Sequence, residues 1–151
     1  MSEHHATVHW ARTSRDFTYD SYNRSHVIRF KRGDIALAGS AAPEFKGDAD
    51  RVDPEEAFVA SLSSCHMLSF LAICARKRVI VDSYEDAAFG TLEKGPGNKL
   101  WMSQVTLRPF VRFAPETPVD AKLLREIHHL AHDVCFIANS VKTNVTVEPQ
   151  G

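Results

Sequence analysis

Between Ala57 and Ala75 nineteen residues pass without a charge, and apolar side chains fall on every side of a helical wheel drawn through them. Ahead of this run Asp53 is placed to cap, Pro54 suits the first helical position, and Glu56 stands where it closes a capping box. The pattern predicts a helix over residues 53–78. A helix that is apolar all round is buried, in a protein core or in a membrane. The run is long enough for a membrane span, but Ser61, Ser63, Ser64, Ser69 and His66 make it too polar for a lone one. We read it as the central core helix of a soluble protein, with no membrane partner.

Strand patterns precede it. Ala6, Val8 and Trp10 alternate with Thr7 and His9, which predicts a strand over residues 5–10. A second strand covers 26–31, Gly33 marks a turn, and a short third strand covers 35–38. Residues 40–52 hold Pro43, Gly47 and acidic side chains, and read as a loop feeding the helix. Beyond Arg78, β-type runs at 84–93 and 99–113 are joined through Gly95-Pro96-Gly97-Asn98 as a hairpin with a long turn. Pro109 marks an edge or a bulge in it. Thr117 and Pro118 are expected to open a second helix. There Leu123, Leu124, Ile127, Leu130, Ala131 and Val134 recur at helical spacing, and Lys122, Arg125, Glu126 and His129 face water. Val141, Thr143, Val145 and Val147 alternate in a closing strand. The expected fold is therefore α+β: N-terminal antiparallel strands, a long buried central helix, a hairpin, an amphipathic helix and a last strand, as a single domain over 1–151. So few strands cannot cover the whole girth of an uncharged helix roughly 30 Å long, so a homodimer is expected to bury its remaining face.

Charge and composition narrow the partners. The net charge is −1 with both signs interspersed, which favours neither nucleic acid nor an anionic membrane. The first twelve residues hold three histidines and no apolar run, unlike a signal peptide. Three cysteines, an odd number, then point to a reducing, cytoplasmic setting in which thiols are structural, metal-bound or reactive.

A cysteine in an apolar helix is most often a small buried hydrophobe, and Cys74, within LAICA, fits that reading. Cys65 sits instead among Ser63, Ser64 and His66, side chains that offer hydrogen bonds. A thiolate needs positive charge or a helix N-terminus nearby, so Cys65, in mid-helix, needs an external cation. Cys135 falls at the C-terminal end of the second helix, where the dipole opposes ionisation. This asymmetry suits a pair in which Cys65 attacks and Cys135 resolves. His128, His132 and Cys135 share one helix face, so a metal site is conceivable. Their cadence is not a common zinc pattern, however, and histidines on a helix surface are ordinarily solvated. No metal ligand and no cofactor is assigned.

The segments DPEEAFVASLSSCHMLSFL and HDVCFIANSVKTNVTV, in this order around a hairpin, resemble the two cysteine segments of the OsmC/Ohr family of thiol-dependent peroxidases, in a divergent OsmC-like branch. The likeness runs from the first strand to the last, and the 70-residue separation of Cys65 and Cys135 is in keeping with it. It implies that Cys65 is the peroxidatic cysteine, Cys135 the resolving one, and Glu55 the glutamate that orients an active-site arginine. It further implies reduction of an organic hydroperoxide through a Cys65 sulfenic acid and a Cys65–Cys135 disulfide, recycled by an external dithiol of lipoyl type. The assembly it implies is an intertwined homodimer with sites at the subunit interface.

Helix geometry agrees with the last point. Ten residues put Glu55 about 15 Å along the axis from Cys65, so without a bridging arginine Glu55 serves a Cys65 on another chain. Arg15, Arg24, Arg29 and Arg51 compete for the arginine's role; Arg24, in YNRSH, is favoured. Phe58, Met67, Phe70 and Phe136 are candidates for an apolar substrate wall, with His66 beside the nucleophile. Two residues depart from the better-known branches: Phe136 stands where they carry proline, and His66 where an apolar aromatic is common. Two other readings are a non-catalytic ligand- or metal-binding protein on the same scaffold and a redox sensor.

Overall fold

The computed structural model describes all residues, Met1–Gly151, which fold as two compact units, Met1–Ala57 and Phe58–Gly151.

The first unit is built on a three-stranded antiparallel sheet of β1 (Thr7–His9), β2 (His26–Phe30) and β3 (Ile35–Gly39), in that order. The β2–β3 turn places Arg32 and Gly33 at positive φ, and Gly33, at +99°, occupies a conformation that side chains rarely adopt. The unit closes on the start of α1 (Pro54–Arg76). The expected capping box is present in full: Glu56 N donates to Asp53 Oδ1 (2.8 Å) and Asp53 N donates to Glu56 Oε2 (3.1 Å).

The second unit holds the rest of α1, two ladders and α2 (Ala121–Val134). The long hairpin read from the sequence is present, its arms broken into two ladders that share one register. β5 (Phe89–Lys94) pairs antiparallel with β6 (Leu100–Leu107), turning at Gly97 with φ +73°. β4 (Val81–Asp86) pairs antiparallel with β7 (Pro109–Phe113) in a separate ladder. Asp86 pins the break, its Oδ1 accepting from Arg108 N at 2.6 Å, and Pro109, which has no N–H, begins the strand after it. The closing strand β8 (Asn144–Val147) runs parallel to β6.

α2 starts later than Thr117-Pro118. Its cap is Asp120, whose Oδ1 accepts from Leu123 N at 2.8 Å, while the Thr117 hydroxyl accepts from Ile80 N instead. Lys122, Arg125, Glu126 and His129 are exposed as expected, but so are Leu130 and Val134, which the spacing placed on the apolar side.

α1 is not buried on every side. Its buried stripe is Leu62, His66, Phe70 and Cys74, one residue per turn. The opposite stripe, Ala60, Ser64, Leu68 and Ala72, is exposed in the single chain, Leu68 to 61%. By length and composition α1 could cross a membrane, and a core helix satisfies the same criteria. Two apolar clusters hold the unit together. One is Phe70, Cys74, Ile127 and Ala131, with β4 and β7 side chains around it. The other is Leu62, Val105 and Leu107, flanked by Phe58, Met102 and Ile137.

Candidate active site

Cys65 lies half-buried beside the buried stripe of α1. Cys135 is the C-cap of α2, with 1% of its surface exposed. Although 70 residues apart in sequence, the two thiols are neighbours, close enough for Cys65 to raise the Cys135 pKa. Burial pushes the Cys135 thiol up to about 11, and Cys65 adds to the rise; backbone N–H groups of Ala138 and Ile137 pull the other way. Ala138 N donates to Cys135 Sγ at 3.5 Å. Burial, rather than the helix dipole, is thus the leading reason that Cys135 resists ionisation. Cys74 is also pushed up to about 11 by burial, but among Phe70, Ile127 and Ala131 it is a packing residue. All three cysteines are free thiols.

Against this pair stands a histidine pair. His66, 1% exposed, places Nε2 3.0 Å from Nδ1 of His128, which is 3% exposed, and the rings stack with centroids 5.3 Å apart. The Phe70 ring stacks on His128 at 4.4 Å. Burial lowers both imidazoles to about 4. His66 is lowered further by His132 and raised by Asp86, and His128 is lowered further by His66. At neutral pH both are uncharged, so one donates its N–H and the other accepts. The remaining nitrogens, His66 Nδ1 and His128 Nε2, are buried without partners, as is His132 Nδ1. Either tautomer therefore leaves one buried N–H unsatisfied, at a cost of about 1–3 kcal/mol.

His128 is accordingly no solvated surface histidine. The sequence carried a signal for it: counting from Leu124 and Ala131 it falls on the apolar stripe of α2. Asp86 belongs to this neighbourhood through Ser63, whose hydroxyl donates to its Oδ2 at 2.5 Å. No group of three or more His, Cys, Asp or Glu side chains is arranged to hold a metal ion.

The apolar candidates separate. Phe70 has no exposed surface and lies inside a core cluster. Phe58 packs partly buried against the other cluster, Met67 is half-buried, and Phe136 is 79% exposed.

The arginine and glutamate lie in the first unit. Arg24 donates from Nη1 to Tyr22 O (2.6 Å) and from Nη2 to Tyr19 O (2.5 Å), with its guanidinium 3.7 Å from the centre of the Tyr22 ring. It lines a cavity of about 510 Å³ together with Trp10, Phe17, Tyr22, His26 and Pro54. Arg51 is engaged elsewhere, with Nη1 donating to His26 O at 3.1 Å and Nε 3.7 Å from Asp48. Arg29 and Arg15 are exposed. Glu55 is half-buried, and its Oε2 is shut from solvent with no hydrogen-bond partner.

A parallel β6–β8 pairing, an antiparallel hairpin beside it and two helices, one holding Cys65 and the other ending at its neighbour Cys135, define an α+β protein of mixed sheets. The chain belongs to the OsmC-like protein family, whose sequence profile matches residues 47–150. It is 46% identical to an OsmC-like protein of unknown function from Vibrio cholerae, over 99% of this chain and 100% of that one, with a TM-score of 0.94. The same fold recurs in an organic hydroperoxide resistance protein OsmC from Legionella pneumophila (17% identity, 99% and 96% coverage, TM-score 0.73). It recurs again in the organic hydroperoxide resistance protein OhrB of Bacillus subtilis (18%, 97% and 98%, 0.69). Among curated proteins none matches the sequence.

Proposed function

We propose that this protein reduces organic hydroperoxides with its own thiols. The observation that carries the reading is that Cys65 and Cys135 lie within interaction range of each other at the end of α2. In the proposed cycle the Cys65 thiolate attacks the peroxide O–O bond. That bond breaks, the alkoxide takes up a proton and leaves as the alcohol, and Cys65 becomes a sulfenic acid. The sulfur of Cys135 then attacks that of Cys65; the S–O bond breaks, and the hydroxide leaves as water with the proton of Cys135. An external dithiol of lipoyl type reduces the resulting disulfide by exchange and ends as a disulfide itself. The hydroperoxide resistance attributed to the Legionella and Bacillus proteins of this fold supports the assignment.

In this reading the working form is a homodimer, consistent with the uncharged open stripe on α1. Arg24 supplies the positive charge that a thiolate needs and Glu55 orients it, across the subunit interface. Phe58, Met67 and Phe136 bear on the alkyl part of the peroxide. Three free thiols suit a reducing compartment such as the cytoplasm.

The test is hydroperoxide consumption coupled to a dithiol. Cys65→Ser is expected to abolish it, and retained turnover would discard the nucleophile assignment. Cys135→Ser is expected to complete one turnover and then stall or overoxidise. A redox sensor is the second reading, in which the Cys65–Cys135 disulfide accumulates because its reduction is slow. It would be marked by a Cys65–Cys135 disulfide that forms under peroxide with negligible turnover.

A further inference from the structure

We propose that the hydrogen bond between His66 and His128 is the positioning element that sets the register of α1 against α2 and thereby brings Cys65 to Cys135. The proposal rests on the reading above only in that these two cysteines join.

The buried stripe of α1 passes from one apolar cluster, through His66, into the other. Contacts made by Leu62, Phe70 and Cys74 are non-directional and oppose a shift by one turn only through the volumes they would exchange. A shift of one turn moves a residue about 5.4 Å, whereas a disulfide requires its sulfurs at about 2 Å. Apolar packing alone therefore leaves the thiols under-specified.

A buried polar pair does not. If α1 slid one turn either way, Leu62 or Phe70 would face His128, and both imidazoles would lose their partner in an apolar surrounding. Polar groups buried in this manner are best attested as devices that fix register. The positions fit: His66 adjoins Cys65 on α1, and His128 lies two turns before Cys135 on the same side of α2. The groups facing the pair are His132 from α2, Asp86 from β4 and the ring of Phe70. None of them completes the hydrogen bond, so the pair stands or falls on its own two rings.

The experiment follows closure of the Cys65–Cys135 disulfide in the reduced full-length protein with diamide. This oxidant takes two electrons and two protons from the two thiols and becomes its hydrazine. His66→Leu and His128→Leu are expected to slow closure about tenfold or more, the scale of loss that small misplacements of reacting groups bring. Alkylation of Cys65 by iodoacetamide is expected to stay unchanged in both. Rescue supplies the decisive contrast. Gln at 66 sets its amide where Nε2 lies, and Asn at 128 sets its amide where Nδ1 lies, so His66→Gln and His128→Asn are expected to close at nearly the native rate. His66→Asn and His128→Gln bury the same amides out of register and are expected to be as slow as the leucine variants. These four also serve should a leucine variant not fold. Leucine variants that close at the native rate, or amide variants that behave alike whatever their reach, would overturn the proposal. Native closure with diamide but no hydroperoxide turnover would remove the proposed function and leave this inference intact.

Discussion

α1 and α2 each carry one of the two neighbouring cysteines, yet they treat their outer faces in opposite ways. On α2, Ile127, His128 and Ala131 are buried while Lys122, Arg125, Glu126 and His129 are exposed, with Leu130 and Val134 open among them, so charge dominates the outer face. On α1, Leu62, His66, Phe70 and Cys74 are buried, but the opposite stripe of Ala60, Ser64, Leu68 and Ala72 is open and carries no charge. A charged outer face marks a surface that solvent covers; an uncharged one, beside a half-buried thiol, marks a surface that another chain is expected to cover.

The sharpest way to break this comparison is to make α1 resemble α2. Leu68→Arg places a charge on the open stripe and is expected to shift the protein to monomers, weakening association about 100-fold or more, as for a central interface residue. Sedimentation over a range of concentrations measures it. The reciprocal change on the wet face, Arg125→Leu, is expected to leave association unchanged. Equal behaviour of the two variants would mean that the open stripe of α1 is an ordinary solvated surface.

A smaller effect separates the helices' inner faces. Both imidazoles of the His66–His128 pair are lowered to about 4 from 6.5, chiefly by burial. Between these values the unfolded chain binds more protons than the folded one, so stability falls as pH drops from 6.5 towards 4. The loss near pH 4 is expected to be on the order of a few kcal/mol. Denaturant midpoints measured from pH 7 to pH 4 check it. The variant His66→Gln with His128→Asn keeps the hydrogen bond without a titrating ring and is expected to flatten the slope; an unchanged slope would place the acid sensitivity elsewhere.

Much of this architecture could be read along the chain, and what escaped has a common cause. The capping box at Asp53, the strand alternations and the wet face of α2 are local, set by residues within a turn or two of one another. The break that divides the hairpin into two ladders is not local, for it depends on Asp86 accepting from Arg108 N, 22 residues away. The start of α2 slipped for the same reason, because Thr117 satisfies Ile80 N, 37 residues away, and leaves capping to Asp120. In the candidate site, Cys65 and Cys135 stood out through the two segments that carry them. The partner of His66 did not, since His128 lies 62 residues on and histidine is at home on a wet helix face. Periodicity alone placed His128 on the apolar stripe, but residue type argued against it.

The helix starts provide the smallest and cleanest contrast. At α1 both halves of a capping box are made, Glu56 N to Asp53 and Asp53 N to Glu56; at α2 Asp120 alone caps, accepting from Leu123 N. Asp120→Ala removes one hydrogen bond from an exposed helix end and is expected to cost about 1 kcal/mol, read as a lower denaturant midpoint with an unchanged slope. Cys135 sits fourteen residues of helix away at the other end of α2, and fraying at a helix start is confined to its first turn. Disulfide closure with diamide is therefore expected to keep its native rate in this variant. Closure slowed along with stability would mean that the whole of α2, and not the histidine contact within it, holds Cys135 in place.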